Sequence, residues 1–440
     1  MSHPQGVRRS QLPVWVAGFA RLLNAVGRAL RALGAPIDRL SEERLLHVAQ
    51  RKTGLSDFGD DGFRMPLRTL IRSYNEEGGL ACIARLIMRR KISAALVNRL
   101  LVTNALHRHP EILQVPIRRP IFIVSLPRTG TTFLHKLLAQ DPHARPLLAW
   151  ETLMPARRPA DIDRGLDPRI KRAQRLVKVL MSLAPALRTI HDIDPQGPEE
   201  CGMLLQNTFV HAAQVSPIYR EWYLRQPVEV IEAAYREYRQ QLQLLHWERP
   251  HEGHWLLKSP LHLYAIGALR PVFPDAAIIL IHRDPRRAIA SMGSFLSVAD
   301  DVLTDDAGGD DTERRAAPGP LVVRWVAEGL RRAEAARAHV EPGRLYDMYY
   351  HELVADPLGA VQRLYAHFGY PYTREFETRA SAWLMEHPQH KHGEHRYDLE
   401  QLGLDHRMIE DTFSWYTERY HIPPESPSTA VTPAPRRMPG

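Results

Sequence analysis

A strand that turns directly into a helix is the feature that most constrains the fold of this chain. Residues 121–124 (IFIV) form an apolar, β-rich run typical of a strand buried on both faces. After the turn SLPRTGTT, apolar residues recur at helical spacing over residues 133–138. A helix that begins at such a turn aims free backbone N–H groups and the positive end of its dipole at one point. Residues 120–142 therefore predict a strand, a loop and a helix that bind an anion such as phosphate or sulfate.

The remainder of the chain predicts an α/β fold with a parallel β-sheet flanked by helices. Strand-like apolar runs at 254–259, 276–283 and 344–350 alternate with helical stretches, which is typical of βαβ units with ligands at the carboxyl ends of the strands. The acidic, Gly-rich and Pro-rich composition of residues 300–320 predicts a mobile loop. We predict a mostly helical N-terminal region at 1–114, an α/β core at 115–422 that contains this loop, and a Pro-rich disordered tail at 423–440.

Charge and cysteine content narrow the classes of function. The chain has 58 Lys and Arg against 50 Asp and Glu, a net charge of +8. Without a nucleic-acid-binding motif, this modest excess favours anionic small molecules or membrane surfaces, and we expect no nucleic-acid partner. Cys82 and Cys201 form neither a disulfide framework nor a zinc motif, so we expect a reducing, cytoplasmic location and no bound metal.

Residues 14–34 predict a basic amphipathic helix. Arginines interrupt this apolar stretch before it is long enough to cross a bilayer. Its apolar side chains recur at helical spacing, so one face is apolar. That face either packs on the protein's own core, packs on a second subunit in a homo-oligomer, or touches a membrane surface. The first two alternatives are the more common use of such a helix.

The turn after the first strand differs from a nucleoside-triphosphate loop. A Walker A loop needs GxxxxGK[ST], but Ser125 replaces its first Gly and Thr131 replaces its Lys. Arg128 provides a cation ahead of Gly130, and the threonines that open the helix provide hydroxyls. This combination suits one terminal phosphate better than a magnesium-bridged triphosphate.

A second anion motif follows a later strand. In IILIHRDPRRAIASM, Arg283 comes directly after an apolar run, and Ser291 lies eight residues later on a helix expected to begin near Pro285. Together they can clamp a second phosphate. The alternative is that Arg283 pairs with Asp284 or another neighbour and that Ser291 is a small packing residue.

Taken together, the two motifs resemble those of a known enzyme family. LPRTGTTFLHKLLAQDP is similar to the 5′-phosphosulfate loop, and HRDPRRAIAS to the 3′-phosphate motif, of sulfotransferases that use 3′-phosphoadenosine 5′-phosphosulfate (PAPS). GPEEC, HWLLKSPLHL, YYHELVADP and HGEHRYDLEQLGL occur in the order of the bacterial-type family, and the resemblance covers most of residues 58–422. It implies a P-loop-type sheet and transfer of the sulfuryl group from PAPS, in line and without a metal, to a hydroxyl or amine. The acceptor would be a small molecule, a sugar or a lipid.

The resemblance also assigns site residues. Independently of it, Lys258 ends a buried strand and therefore faces the same crevice, where it would stabilise the leaving phosphate or the sulfuryl oxygens; the alternative is a solvated strand-end lysine. Arg283 and Ser291 would hold the 3′-phosphate, and Arg396 with Tyr397 would close over the nucleotide. The full predicted nucleotide-binding set is Arg128, Thr129, Gly130, Thr131, Thr132, Arg283, Ser291, Arg396 and Tyr397.

The general base has several candidates. The pair Glu199 and Glu200 is favoured by the family's GPEE pattern, and a carboxylate becomes an effective base if burial raises its pKa. His191 is a candidate because the unperturbed pKa of a histidine lies near neutrality, and another group such as His135 is a further alternative. Because Pro198 predicts the start of a helix, both glutamates are expected in its first turn, where the helix dipole would lower their pKa.

Two rival functions remain at this point. A P-loop kinase or NTPase is disfavoured by the missing loop lysine. A non-catalytic module that keeps the nucleotide fold and binds membranes through residues 14–34 is the other rival. Aromatic residues expected either to line the acceptor pocket or to belong to the core are Phe209, Tyr219, Trp222, Tyr223 and Tyr238.

Overall fold

Five parallel strands form a single sheet at the centre of the protein. A computed structural model describes residues 14–34, 39–76, 81–161, 167–183, 193–210, 216–290, 292–293, 318–387, 403–404 and 406–425. The strands are β1 (Ile121–Ser125), β2 (Ala144–Pro146), β3 (His254–Lys258), β4 (Ala277–His282) and β5 (Leu345–Tyr349). Their order across the sheet is β2-β3-β1-β4-β5, and every neighbouring pair is parallel. The predicted α/β class is confirmed.

Helices precede the sheet, connect its strands and cover both of its faces. The α-helices are Val14–Ala32, Glu42–Thr53, Arg64–Glu76, Cys82–Arg108, Thr131–Leu138, Ala149–Leu153, Pro168–Leu183, Gly202–Leu205, Pro217–Leu224, Val228–Glu248, Ile266–Val272, Pro318–Arg337, Tyr350–Ala355, Pro357–Phe368, Arg374–Glu386 and His406–Arg419. Short 3-10 helices are Asp61–Phe63, Pro110–Gln114, Pro159–Asp161, Gln206–Thr208 and Pro260–Tyr264. Residues 285–290 are also helical, as the motif after β4 predicts.

The three central strands, β1, β3 and β4, are mostly apolar because both of their faces are buried. Alternate side chains of β1 pack into two different hydrophobic clusters: Phe122 and Val124 into one, Ile121 and Ile123 into the other. Alternate side chains of β3 and β4 also pack into these two clusters. Since consecutive side chains of a strand point to opposite faces, a strand covered by helices on both sides needs no polar positions. This burial explains why the three central strands are readable as apolar runs, whereas β5, at the edge of the sheet, is only half-buried and contains Asp347.

The strand β1 lies at the point where the chain changes direction across the sheet. From β1 the chain first builds β2 and β3 on one side, and then crosses to build β4 and β5 on the other. In such sheets a crevice opens at the carboxyl end of the strand where the direction reverses. The predicted anion loop follows β1, so it lies at that crevice.

The N-terminal helix Val14–Ala32 packs on the protein's own chain. Asn24 Oδ1 accepts the backbone N–H of Ile83, at 3.3 Å. A Cβ on Gly27 would lie 2.6 Å from the Cβ of Cys82, so the two helices touch there. Leu22 and Val26 are exposed on another side of the helix. This part of the predicted amphipathic helix is therefore partly covered by the helix Cys82–Arg108.

Two local expectations differ from the structure. β2 has only three residues, including an arginine and a proline, and carries no apolar run from which to predict it. The prediction that Pro198 begins a helix is wrong: Pro198 pairs with Leu148 as an antiparallel bridge, and the next helix begins at Gly202. Backbone pairing with a distant segment outweighs the local preference of proline. The domain limits stay a prediction, and most of the 300–320 loop and of the tail lies outside the described residues.

Candidate active site

The loop between β1 and the helix Thr131–Leu138 has a left-handed backbone. Arg128 has φ 65° and Gly130 has φ 86°. A left-handed arginine costs about 1–2 kcal/mol, so contacts elsewhere hold the loop in place. One of them is made by the buried Thr129 hydroxyl, which lies 2.8 Å from the hydroxyl of the last residue of β1. The Thr129 side chain thus shapes the loop, whereas Arg128 and Thr132 are exposed at its rim.

Tyr350 approaches this loop from the end of β5. A Cβ added to Gly130 would lie 3.0 Å from Cδ2 of Tyr350, so no larger residue fits without displacing the ring. The same ring carries the Arg283 guanidinium, 3.6 Å from its centroid. No role was predicted for Tyr350, although it belongs to the motif YYHELVADP. That motif and its position directly after a strand, where ligand contacts concentrate in parallel sheets, were the available signals.

Arg283 joins the two predicted phosphate motifs. Its Nη1 donates to the backbone carbonyl of Arg128, at 2.5 Å. Its Nε and Nη2 donate to the two carboxylate oxygens of Glu425, at 2.6 and 2.7 Å. Asp284 does not pair with Arg283; its carboxylate pairs with Arg286 instead, at 2.6 Å. The carboxylate of Glu425 therefore occupies the Arg283 donor groups that are predicted to bind a phosphate.

Lys258 points into the crevice from the end of β3. Its ammonium lies 2.5 Å from Glu200 Oε1 and 3.4 Å from Thr132 Oγ1 at the start of the loop helix. The Lys258 side chain is only 2% exposed, whereas that of Glu200 is 30% exposed. Lys258 is thus a buried cation held between a carboxylate and the anion loop, and the alternative of a solvated strand-end lysine is wrong.

Glu199 and Glu200 lie in an extended segment that is anchored by backbone hydrogen bonds. The N–H of Glu199 donates to Leu147 O, at 2.8 Å, and the N–H of Cys201 donates to Lys258 O, at 3.0 Å. Glu199 is buried, and its Oε1 accepts the N–H of Glu200, at 2.6 Å. Of the two carboxylates, Glu200 is the one that contacts Lys258.

His135 lies behind this group, one turn into the loop helix. Burial, together with the nearby Lys258 ammonium, lowers the pKa of His135 to about 3. The imidazole is therefore neutral at physiological pH and accepts protons poorly, which argues against His135 as the general base. Burial also raises the pKa of the Cys201 thiol to about 12, so this cysteine is not a nucleophile.

Other predicted residues lie outside the described residues or in the core. His191, Ser291, Arg396 and Tyr397 belong to the first group. The aromatic residues proposed for the acceptor pocket pack in the main hydrophobic cluster, with Trp222 partly buried at its edge: Phe209, Tyr219, Trp222, Tyr223 and Tyr238. In the described part of the chain, no three His, Cys, Asp or Glu side chains gather in a way that would hold a metal ion.

Comparison with known proteins identifies the family. The model of the sulfotransferase family matches residues 120–374 of this chain. The omega-hydroxy-beta-dihydromenaquinone-9 sulfotransferase Stf3 of Mycobacterium bovis is 25% identical over 339 residues, which cover 71% of this chain and 77% of that protein. Its counterpart from Mycobacterium tuberculosis matches to the same extent.

Two solved structures share the fold over nearly their whole length. Sulfotransferase STF9 from Mycobacterium avium superposes with a TM-score of 0.76 at 28% identity, over 87% of this chain and 97% of that one. Sulfotransferase STF1 from Mycobacterium tuberculosis gives a TM-score of 0.73 at 31% identity, over 86% and 99%. The chain belongs to the sulfotransferase family and is a transferase of sulfuryl groups.

Proposed function

We propose that this enzyme transfers the sulfuryl group of PAPS to a hydroxyl or amine acceptor. The observation that carries the proposal is the meeting of three elements at the carboxyl edge of the sheet: the loop after β1, Lys258 after β3 and Arg283 after β4. In the reaction, the acceptor atom forms a bond to sulfur while the bond from sulfur to the 5′-phosphate oxygen breaks. Negative charge then grows on the departing adenosine 3′,5′-bisphosphate.

The donor's two phosphates would bind to different motifs. The 5′-phosphosulfate would lie at the start of the helix Thr131–Leu138, where backbone N–H groups, Arg128 and Lys258 face the charge that develops on the leaving oxygen. The 3′-phosphate would bind Arg283, which is already tied to the loop through Arg128 O. This second phosphate would separate PAPS from ATP. Charge stabilisation comes from fixed protein groups, so we propose a reaction that needs no metal.

The proton of the acceptor would go to Glu200. Its carboxylate is partly exposed and lies beside Lys258, so an acceptor hydroxyl bound there would be near both the base and the sulfuryl group. The buried Glu199 would position Glu200 through the hydrogen bond to its backbone N–H. His191, outside the described residues, stays an alternative base.

One relative of the chain indicates a chemical class for the acceptor. The relative Stf3 is named for an ω-hydroxylated dihydromenaquinone. We propose that an apolar alcohol belongs to the acceptor class of this chain, within the wider set of small-molecule, sugar or lipid acceptors. In the part of the chain that the structure describes, every helix is too short or too polar to span a bilayer. A cytoplasmic location, a homo-oligomer and membrane contact through residues 14–34 stay predictions.

Ligand-dependent thermal stability tests the donor. Adenosine 3′,5′-bisphosphate should raise Tm, and Mg-ATP should not, because ligands that bind only the folded state stabilise it. Arg283→Ala should abolish the shift. Stabilisation by Mg-ATP alone would support the kinase alternative. Transfer of label from PAPS to a panel of alcohols, phenols, amines and sugars tests the reaction itself.

Substitution of the two glutamates tests the base. Glu200→Gln should retain bisphosphate binding and lower the single-turnover transfer rate by about 100-fold or more, the usual contribution of a general base. Glu199→Gln should have a smaller effect, and His191→Gln serves as the control for the alternative base. Full activity in both glutamine variants would eliminate this pair.

A further inference from the structure

The helix Pro168–Leu183 turns one side to the protein and leaves the opposite side open. The inward side is anchored at its start by the buried Arg169, which pairs with Asp167 and Glu248 and lies over the ring of Trp150. Farther along, small and apolar side chains at four-residue spacing are buried: Ala173, Val177 and Met181. The helix is therefore firmly docked, and its outward side has a fixed orientation.

The outward side carries exposed apolar residues next to a row of cations. Leu176 and Val179 are 52% and 55% exposed. Beside them Lys171, Arg175 and Lys178 are exposed at spacings of four and three residues, so they share one side of the helix. The helix has no Asp or Glu, and none of the described residues provides an acidic partner for these three cations.

We propose that this face, defined by Lys171, Arg175, Lys178, Leu176 and Val179, docks on the surface of a bilayer that contains anionic lipids. An interfacial helix buries its apolar side chains at the level of the acyl-chain boundary while its cations meet lipid phosphates. The three cations favour an anionic bilayer over a second copy of the chain as the partner of this face. A two-fold dimer through this face would bring both rows of three cations into one interface, whereas anionic lipids would neutralise them.

The face lies one helix away from the candidate active site. The helix Pro168–Leu183 packs on Ala149–Leu153. The N–H groups of Ala149 and Trp150 donate to the carbonyls of Gly197 and Pro195, at 3.1 and 3.0 Å, in the segment that leads to Glu200. Docking would thus bring the acceptor side of the site near the bilayer. This consequence rests on the proposed function, whereas docking itself does not.

Co-sedimentation of the full chain with lipid vesicles tests the proposal. The protein should bind phosphatidylcholine vesicles that contain phosphatidylglycerol, and bind vesicles of phosphatidylcholine alone much more weakly. Each surface cation contributes about fivefold to the partition coefficient, so the variant Lys171→Gln/Arg175→Gln/Lys178→Gln should lose on the order of 100-fold. Leu176→Ser/Val179→Ser should lose binding as well. All five side chains are exposed, so the variants should keep their Tm.

Matched controls decide the outcome. Leu321→Ser/Met385→Ser, which changes exposed apolar residues elsewhere, should bind vesicles like the parent. Equal binding of the parent and the Leu176→Ser/Val179→Ser variant would overturn the proposal. So would loss of binding only in Leu22→Ser/Val26→Ser on the N-terminal helix, or a dimer in lipid-free sedimentation that the Leu176 and Val179 substitutions dissolve.

Binding of adenosine 3′,5′-bisphosphate separates this proposal from the proposed function. The vesicle-binding variants should bind the bisphosphate as tightly as the parent. If the parent fails to bind the bisphosphate yet binds anionic vesicles, the proposed donor is wrong and the docking face stands. If it binds the bisphosphate and no vesicles, the docking face is wrong.

Discussion

Glu425 competes with a phosphate for Arg283, and its removal should tighten nucleotide binding. In the ligand-free protein, the Glu425 carboxylate accepts two hydrogen bonds from Arg283, at 2.6 and 2.7 Å, and lies 3.3 Å from Arg287 Nε. A 3′-phosphate would use the same two donors, so Glu425 must leave before it binds. The substitution Glu425→Gln keeps the size of the side chain and removes its charge.

The expected gain follows from the burial of the pair. The side chains of Arg283 and Glu425 are 16% and 26% exposed, so water screens the attraction only in part. A two-point charge-assisted pair in such a setting stabilises the ligand-free form by about 1–2 kcal/mol. Without this competition, the Kd of adenosine 3′,5′-bisphosphate should fall by about 5- to 30-fold.

Isothermal titration calorimetry with two nucleotides measures the effect. Glu425→Gln should bind adenosine 3′,5′-bisphosphate more tightly and bind adenosine 5′-monophosphate, which lacks the 3′-phosphate, with unchanged affinity. Glu341→Gln is the control, because it removes a carboxylate from the exposed pair with Arg270. Unchanged or weaker bisphosphate binding would refute the competition. An equal gain for both nucleotides would show a general charge effect.

Three further predictions concern the residues around the loop. Glu200→Gln should lower the free energy of unfolding by about 2–4 kcal/mol, because it leaves the buried Lys258 ammonium unpaired. Lys258→Met should lower it by about 1 kcal/mol or less, because the Glu200 carboxylate left behind is partly exposed to water. Equal losses of the two variants in urea denaturation would contradict this. The pKa of His135 is about 3 in the folded protein against an ordinary 6.5. On acidification the imidazole is therefore protonated first in the unfolded chain, and the free energy of unfolding should fall by up to about 1.4 kcal/mol per pH unit between pH 6.5 and pH 3. His135→Gln should remove that share of the slope in urea midpoints measured from pH 7 to pH 4, whereas an unaltered slope would show that His135 titrates normally. Gly130→Ala and Gly343→Ala should each lose about 1 kcal/mol of stability from a left-handed alanine, but only Gly130→Ala, which contacts Tyr350, should also weaken bisphosphate binding.

Much of the fold could be predicted because both sheet faces are buried. The three central strands appear as mostly apolar runs and β5 as an aromatic-rich run that contains Asp347, and their alternation with helices indicates a parallel sheet. β2 has no such run and was not predicted. The helix expected at Pro198 was wrong because residues 195–201 form backbone hydrogen bonds with residues 147–150 and with the end of β3. Such pairing depends on where distant segments lie in the fold, so it cannot be predicted from the local sequence.

Some residues of the candidate site could also be predicted from the sequence, whereas their partners could not. The glycine, arginine and threonines of the loop could be selected from the sequence because an anion loop needs those residue types at that spacing. The partners could not: Glu425 lies 142 residues from Arg283, and no local pattern links them. Tyr350 could be selected by its place in the motif YYHELVADP, directly after a strand, but its contact with Gly130 could not.

The sequence by itself determined the types of the main elements, the anion loop and the family to which its motifs belong, because these depend on local periodicity and on short-range spacing. Only the tertiary structure decided which carboxylate meets Lys258, 58 residues away from Glu200. It also decided that Arg283 bridges the loop to Glu425, and that the Leu176 side of its helix stays open. These contacts join residues that are far apart in the sequence, so they depend on how separate elements pack across the sheet and not on any local pattern.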